Sequence, residues 1–284
     1  MTCKALLDKK YKIRETIIKQ PLPIHEDSIG RNMSHYRYIA PELIKYTPRN
    51  DEIPADNAKV YAFDLDHTLI QPKTPKAIFS RGPDDWKFME FREGEQSLKT
   101  LINICKYDSK AHIVIFTNQG GVITMPPTSK SCSTFTSKIG NIFKYISKQE
   151  DGYLLLSRLW LYSSTMKPAA LFPKQKKQAS KKSITKQSTL PFLKKPNESM
   201  KEIDSSHKSL EELFNSMRKP EVGMGEQFIK DLHKRNDTIT KQNMNWVYYC
   251  GDAAGRSSDF SDADKMFAKN MGIDFKTPEE VFIS

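Results

Sequence analysis

The stretch Val60-Tyr61-Ala62-Phe63-Asp64-Leu65-Asp66-His67-Thr68-Leu69 constrains this chain more than any other. An apolar run stopped abruptly by two carboxylates one residue apart reads as a buried strand of a parallel sheet. Such strands present their reactive groups at their carboxyl ends. Side chains repeat with a period of two along an extended chain, so Asp64 and Asp66 point the same way. Their mutual repulsion then requires a cation or a shared proton. An acidic strand-to-loop turn is the plain alternative.

The segments around this run alternate. Lys59 to Phe63, His112 to Phe116, Leu159 to Tyr162 and Trp246 to Cys250 read as strands. Helical spacing runs from Glu93 to Tyr107 through Leu98, Leu101, Ile102 and Cys105, and again from Phe135 to Ser147. Further helices are expected at about 210–217, 225–234 and 262–271. Alternation of this kind predicts an α/β fold, a parallel sheet flanked by helices with right-handed crossovers. There is no internal repeat.

At 284 residues the chain suits one large domain with appendages. Its net charge of +11 is uneven. From Met166 to Lys201 ten lysines face one acid, Glu198, so this segment holds +9 and the remainder only +2. Rich also in Ser, Gln and Pro, it reads as a disordered insertion at about 166–207. No apolar run of roughly 18 residues and no signal-peptide pattern is present, so a soluble intracellular protein without a membrane partner is expected. Cys3, Cys105, Cys132 and Cys250 are scattered without a CxxC pair and suggest idle or buried thiols.

Three more loops follow strands or open helices. Thr117, in Phe116-Thr117-Asn118-Gln119-Gly120-Gly121, offers a hydroxyl and nearby backbone N–H groups to phosphate oxygens. Lys219, in Met217-Arg218-Lys219-Pro220, precedes a Gly-x-Gly helix start and offers a point charge. Asp252, in Gly251-Asp252-Ala253-Ala254-Gly255-Arg256, brings another acid to a strand end. Each has a dull reading as turn residue, solvated lysine or helix cap. Their joint order, acid pair then Thr then Lys then Asp, makes coincidence a poor account.

That order resembles the four motifs of the haloacid dehalogenase superfamily of phosphotransferases. The strings FDLDHTLI, VIFTNQGGV, RKPEVGM and YYCGDAAGRSSDFSDADKMFAKNMGIDFKTPEEVF, with FSRGPDDW, are similar to the phosphatase domain of the polynucleotide kinase 3′-phosphatase family, and most to its stand-alone DNA 3′-phosphatases of budding yeasts. His67 stands where the superfamily most often has glycine. The resemblance covers residues 33–284 apart from the insertion and leaves residues 1–32 as an extension; Met33 is a candidate alternative start. It implies a Rossmann-like haloacid dehalogenase fold without a large cap domain.

It also implies a mechanism: removal of a 3′-phosphate from DNA strand breaks through an aspartyl-phosphate intermediate, leaving a 3′-hydroxyl for repair. Asp64 is the nucleophile. Asp66 is the proton donor and acceptor, a role that calls for a carboxyl pKa raised toward neutrality. Thr117 and Lys219 steady the equatorial oxygens. Mg²⁺ is the expected cofactor, held by Asp64, the backbone carbonyl of Asp66, and Asp252. Asn118 and Asp259 are candidates for binding phosphate or orienting the metal shell or Lys219. Arg81 and Arg256 are candidates for gripping the DNA backbone, with surface salt bridges as their plain reading. Asp262 reads as a helix cap, Asp264 is unranked, and Trp86 reads as core packing or a base-stacking platform.

No Gly-x-x-x-x-Gly-Lys-[Ser/Thr] occurs among the twelve glycines, so no 5′-kinase activity is expected. An uncapped site beside a lysine block favours a polyanion. A phosphoprotein or small-metabolite phosphatase would share the four motifs, and a non-catalytic DNA-binding adaptor would share the basic segment. Residues 187–193, QSTLPFL, resemble a motif that docks on the replication sliding clamp, defective at Lys194. The lysine run from Lys174 suggests nuclear import. Residues 1–20 are basic, as for a minor mitochondrial pool, although Asp8 and Glu15 count against a transit peptide. A monomer is expected.

Overall fold

The computed structural model describes residues 34–49, 58–168, 211–240, 242 and 244–283. The extension to residue 32, Met33, the 187–193 motif and nearly all of the lysine-rich insertion lie outside these residues.

Seven strands form the central sheet: β1 (His35–Ile39), β2 (Leu43–Pro48), β3 (Lys59–Phe63), β8 (Ala111–Asn118), β9 (Leu159–Ser164), β10 (Asn245–Cys250) and β11 (Phe275–Lys276). Their order across the sheet is β1-β2-β9-β8-β3-β10-β11. From β9 to β11 all pairings are parallel, in register Phe63 with Ile115 and Cys250 with Phe63. The expectation of a parallel sheet needs one amendment. β1 and β2 form a hairpin that joins β9 antiparallel at one edge. The sequence alone predicts no strand there, because the alternation that carries a hairpin is short in HYRYI and absent in LIKYTP, which is buried at every position but the half-buried Lys45.

Period-two alternation puts successive residues of the central strands on opposite faces. Ile113, Ile115, Leu159, Leu161 and Phe63 pack on one face with Leu98, Leu101, Phe135, Ile139 and Ile142. Val114, Phe116, Trp160, Tyr162 and Ala62 pack on the other with Met224, Phe228, Leu232 and Phe267. The helices Ser97–Tyr107 and Lys130–Ile146 thus cover one face, and Gly223–Arg235 and Ala263–Met271 the other. Strands buried on both sides explain why their sequences run apolar rather than alternating.

Two helices begin elsewhere than their spacing suggests. The first starts at Ser97 rather than Glu93, because Gly94, at φ +75°, turns a small hairpin between β6 (Glu90–Arg92) and β7 (Glu95–Gln96). The second starts at Lys130 rather than Phe135, because the Ser129 hydroxyl accepts from the Cys132 N–H and caps it. Between Thr68 and Ser97 lie only this hairpin and the two-stranded ribbon of β4 (Ile70–Gln71) and β5 (Lys87–Phe88). No cap domain is present among the described residues. Trp86 is buried, edge-on to Phe88, with its indole N–H donating to the Pro83 carbonyl, which makes it core.

Candidate active site

The site lies at the carboxyl edge of the sheet, where β3, β8 and β10 end side by side. Asp64 follows β3, and its N–H donates to the Cys250 carbonyl at 2.8 Å, extending the ladder one residue past the strand. His67 then turns the chain at φ +63°, a left-handed conformation that glycine adopts more easily, and its Nε2 lies 2.8 Å from the Ile78 carbonyl oxygen. The imidazole therefore points into the following loop. Buried Thr68 exchanges hydrogen bonds with Asp252, accepting from its N–H at 3.1 Å and donating to Oδ1 at 3.2 Å.

Lys219 is buried and its ammonium donates to Asp64 Oδ1 at 2.6 Å, Asp264 Oδ1 at 2.7 Å and the Tyr249 hydroxyl at 2.9 Å. Its backbone is held by Asn118, whose Oδ1 accepts from the Lys219 N–H and whose Nδ2 donates to the Lys219 carbonyl, both at 3.0 Å. Ser164 Oγ donates to the same Oδ1. Asn118 thus grips both sides of the Lys219 backbone. The Lys219–Pro220 peptide is cis.

Asp264 is the acid that sequence reading left unranked. It is 1% exposed, and its Oδ1 also accepts from the Tyr249 hydroxyl at 2.8 Å while Oδ2 accepts from the Ala253 N–H at 3.0 Å. Asp259, expected to orient Lys219 or the metal shell, is not among the residues that Lys219 bonds. Its carboxylate is taken up by the Ala254 and Arg256 N–H groups and the Arg256 guanidinium, which pull its pKa down to about 2. Asp262 stands at the start of the helix Ala263–Met271 but makes no side-chain cap.

Gly251 is required by this packing, since a Cβ there would come within 2.4 Å of Asp264 Cγ.

Oxygens of Asp64, Asp252 and Asp264 lie within 4.8 Å of one another. Against these three carboxylates stands one ammonium, a formal excess of two negative charges. Burial, opposed by Lys219 and reinforced by Asp264 and Asp252, holds the Asp64 carboxyl well above the ordinary range. Burial and Asp264 likewise raise that of Asp252. For Lys219 burial works against the charge, but Asp264 and Asp64 outweigh it and its pKa rises. No described residue donates to Asp64 Oδ2. A divalent cation fits this surplus charge and the all-oxygen donors. Because Asp264 is already engaged through both oxygens, Asp64 and Asp252 are the carboxylates left to face it.

Asp66 points to a different set of partners. Its Oδ2 accepts from Gln119 Nε2 at 2.6 Å and its Oδ1 from Lys138 Nζ at 3.2 Å. Gln119 Nε2 also donates to the Thr117 hydroxyl at 2.9 Å. Neither Gln119 nor Lys138 was singled out from the sequence. The signal for Lys138 was present, since the spacing Phe135, Lys138, Ile139, Ile142 puts a lysine on the apolar face of a helix. Exposed Arg218 lies against Gly120, where a Cβ would sit 3.3 Å from its guanidinium.

Of the two expected DNA-binding arginines, Arg81 is exposed between Ser80 and Gly82, which line a cavity beside Asp66. Arg256 is bound to Asp259 and Glu279 in a surface ion pair, its plain reading.

A family model for polynucleotide kinase 3 phosphatase matches residues 59–282. The chain is 42% identical over 259 residues to the polynucleotide 3′-phosphatase of Saccharomyces mikatae, which covers 89% of this chain and 98% of that one. It is 43% identical over 256 residues to the polynucleotide 3′-phosphatase of Saccharomyces cerevisiae, covering 88% and 99%. Similarity to the bifunctional polynucleotide phosphatase/kinase of Schizosaccharomyces pombe is 28% over 225 residues, covering 79% of this chain and 38% of the other.

Proposed function

The chain belongs to the polynucleotide kinase 3 phosphatase family, and from that premise we propose that it is a polynucleotide 3′-phosphatase acting on DNA ends, without 5′-kinase activity. The observation that carries this reading is the convergence of Asp64, Thr117, Lys219 and Asp252 at one sheet edge, in a chain similar over nearly all its length to two 3′-phosphatases.

Asp64 attacks phosphorus in line. Its carboxylate oxygen forms the new bond to phosphorus as the bond to the 3′ oxygen breaks, and Asp66 gives that oxygen its proton. Water then attacks the aspartyl-phosphate and the bond from Asp64 oxygen to phosphorus breaks, while Asp66 takes up the water's proton. Lys219 and Thr117 offset charge on the equatorial oxygens: Asn118 and Asp264 hold Lys219 in place and Gln119 holds the Thr117 oxygen, so that Lys219 has only to turn one N–H from Asp64 to the phosphate. Mg²⁺ fits beside Asp64 and Asp252, with the Asp66 carbonyl as a further donor, and when bound would neutralise the charge of a phosphomonoester dianion meeting a carboxylate.

A site without a cap among the described residues admits the end of a macromolecule. The lysine-rich insertion supports a polyanionic substrate and a nuclear location.

Phosphate release from a 3′-phosphorylated DNA oligonucleotide, with Mg²⁺ or EDTA, beside the 5′-phosphorylated isomer and a phosphopeptide, tests the reading. Mg²⁺-dependent release from the 3′ end alone, lost in Asp64→Asn, is expected. Equal turnover of the phosphopeptide, or release from Asp64→Asn, would overturn it.

A further inference from the structure

Lys138 sits in the middle of the helix Lys130–Ile146, on the face that carries Phe135, Ile139 and Ile142 into the core, and only 6% of it is exposed. A lysine is seldom so buried unless paired, and its partner here is Asp66. The pair is loose. At 3.2 Å it is longer than the 2.7–2.9 Å of a tight charge-assisted bond. Gln119 holds the other carboxylate oxygen at 2.6 Å, so both oxygens of Asp66 are engaged away from Asp64 and Lys219.

The two residues that grip Asp66 also line a cavity of about 530 Å³. Val122, Ile123 and Phe135 give it apolar walls, Lys130 adds a second cation, and no carboxylate lines it among the described residues. Its volume falls in the ~300–1,000 Å³ range of small-ligand sites. Lys130 also opens its helix with no acid in the first turn, the reverse of what the helix dipole favours. The cavity mouth is therefore short of negative charge.

We propose that Lys138 is a positioning residue that ties turnover to the strand behind the 3′ end. It holds Asp66 in the free protein and passes to the first internucleotide phosphodiester when a polynucleotide occupies the cavity, leaving Asp66 free to meet the 3′ oxygen. The inference rests on the 3′-phosphatase reading. With the scissile phosphate against Asp64, the leaving oxygen faces Asp66 and its nucleoside lies beyond, where Gln119 and Lys138 open into the cavity. The exchange replaces one anionic partner of Lys138 by another, so the buried ammonium is never left unpaired. A nucleoside 3′-monophosphate has no such phosphodiester, and with it Lys138 stays on Asp66.

The test is a substrate ladder of thymidine 3′-monophosphate, the 3′-phosphorylated thymidine dinucleotide and a 3′-phosphorylated decamer, with kcat and KM measured separately. In the wild type kcat is expected to rise at least tenfold between mononucleotide and dinucleotide and little thereafter. In Lys138→Met that step collapses to less than threefold, because kcat on the mononucleotide rises toward the dinucleotide value once nothing holds Asp66 back, while on the dinucleotide KM rises and kcat holds; Lys138→Arg keeps the step. Equal kcat on mononucleotide and dinucleotide in the wild type overturns the inference without any variant, and so does a uniform loss on all three substrates in Lys138→Met. A wild type that releases phosphate from none of them overturns the 3′-phosphatase reading itself, and this inference with it.

Discussion

Replacing Asp264 by asparagine probes the network around Lys219 while leaving side-chain volume almost unchanged. In the native protein Asp264 accepts three hydrogen bonds, from Lys219, Tyr249 and the Ala253 N–H, at 2.7, 2.8 and 3.0 Å. An amide can accept with its oxygen alone. With that oxygen turned to Lys219 and Tyr249, its NH₂ faces the Ala253 N–H, and a buried unpaired donor costs about 1–3 kcal/mol. Removing one member of a buried ion pair costs about 3–5 kcal/mol, and the lower end applies because Lys219 keeps Asp64 at 2.6 Å. Relief of the repulsion that Asp264 exerts on Asp64 and Asp252 offsets part of these costs, which leaves a net loss of about 3 kcal/mol. At about 2–4 °C per kcal/mol for a domain of this size, Tm should fall by about 6–12 °C. If the same loss reaches the transition state through a displaced Lys219, kcat falls about 100-fold. Thermal melting and phosphate release from a 3′-phosphorylated oligonucleotide measure the two effects. An Asp264→Asn protein within 2 °C and threefold of wild type would show that Lys219 is held by something else, and the reasoning would fail. Tyr249→Phe, which removes hydrogen bonds but no charge, should lie between the two.

Gly251→Ala forces a Cβ to within 2.4 Å of Asp264 Cγ, so a loss of about 1–3 kcal/mol by urea denaturation and a marked drop in kcat are expected; a neutral result would mean the two segments separate freely. Burial lowers the pKa of both His35 and His112 from 6.5 to about 4, against a partly offsetting hydrogen bond to Leu159 for His35. The unfolded chain binds these protons below about pH 6.5 and the folded one only near 4, so stability falls as pH drops through that window, by up to about 3 kcal/mol per histidine. His112→Leu should flatten this fall between pH 7 and 4.5, and an unchanged slope would count against it. Deleting residues 170–200 is expected to leave turnover of short oligonucleotides within a few-fold of wild type, and a dead enzyme would show the insertion to be part of the site.

Much of this molecule can be read from its sequence because parallel strands buried on both faces are continuous apolar runs, and the residue after each such run lies at the carboxyl edge. Asp64, Thr117 and Asp252 were found that way, and Lys219 by its place before a glycine-rich helix start. Residue type and spacing alone do not say which of Asp259, Asp262 and Asp264 turns inward. That choice depends on how the helix Ala263–Met271 packs beneath Gly251, which brings Asp264 to Lys219 and leaves Asp259 to Arg256. The antiparallel edge made by β1 and β2 belongs to the same class, since strand pairing is set by partners far along the chain.

The grip of Gln119 and Lys138 on Asp66 is the clearest case. A lysine on an apolar helix face signals a buried partner, but only the packing of that helix against the sheet names it. The sequence by itself determined which groups reach the carboxyl edge, because strand periodicity is local. Only the tertiary structure decided which of them share hydrogen bonds, because such a bond depends on a few ångströms between site residues up to 184 positions apart.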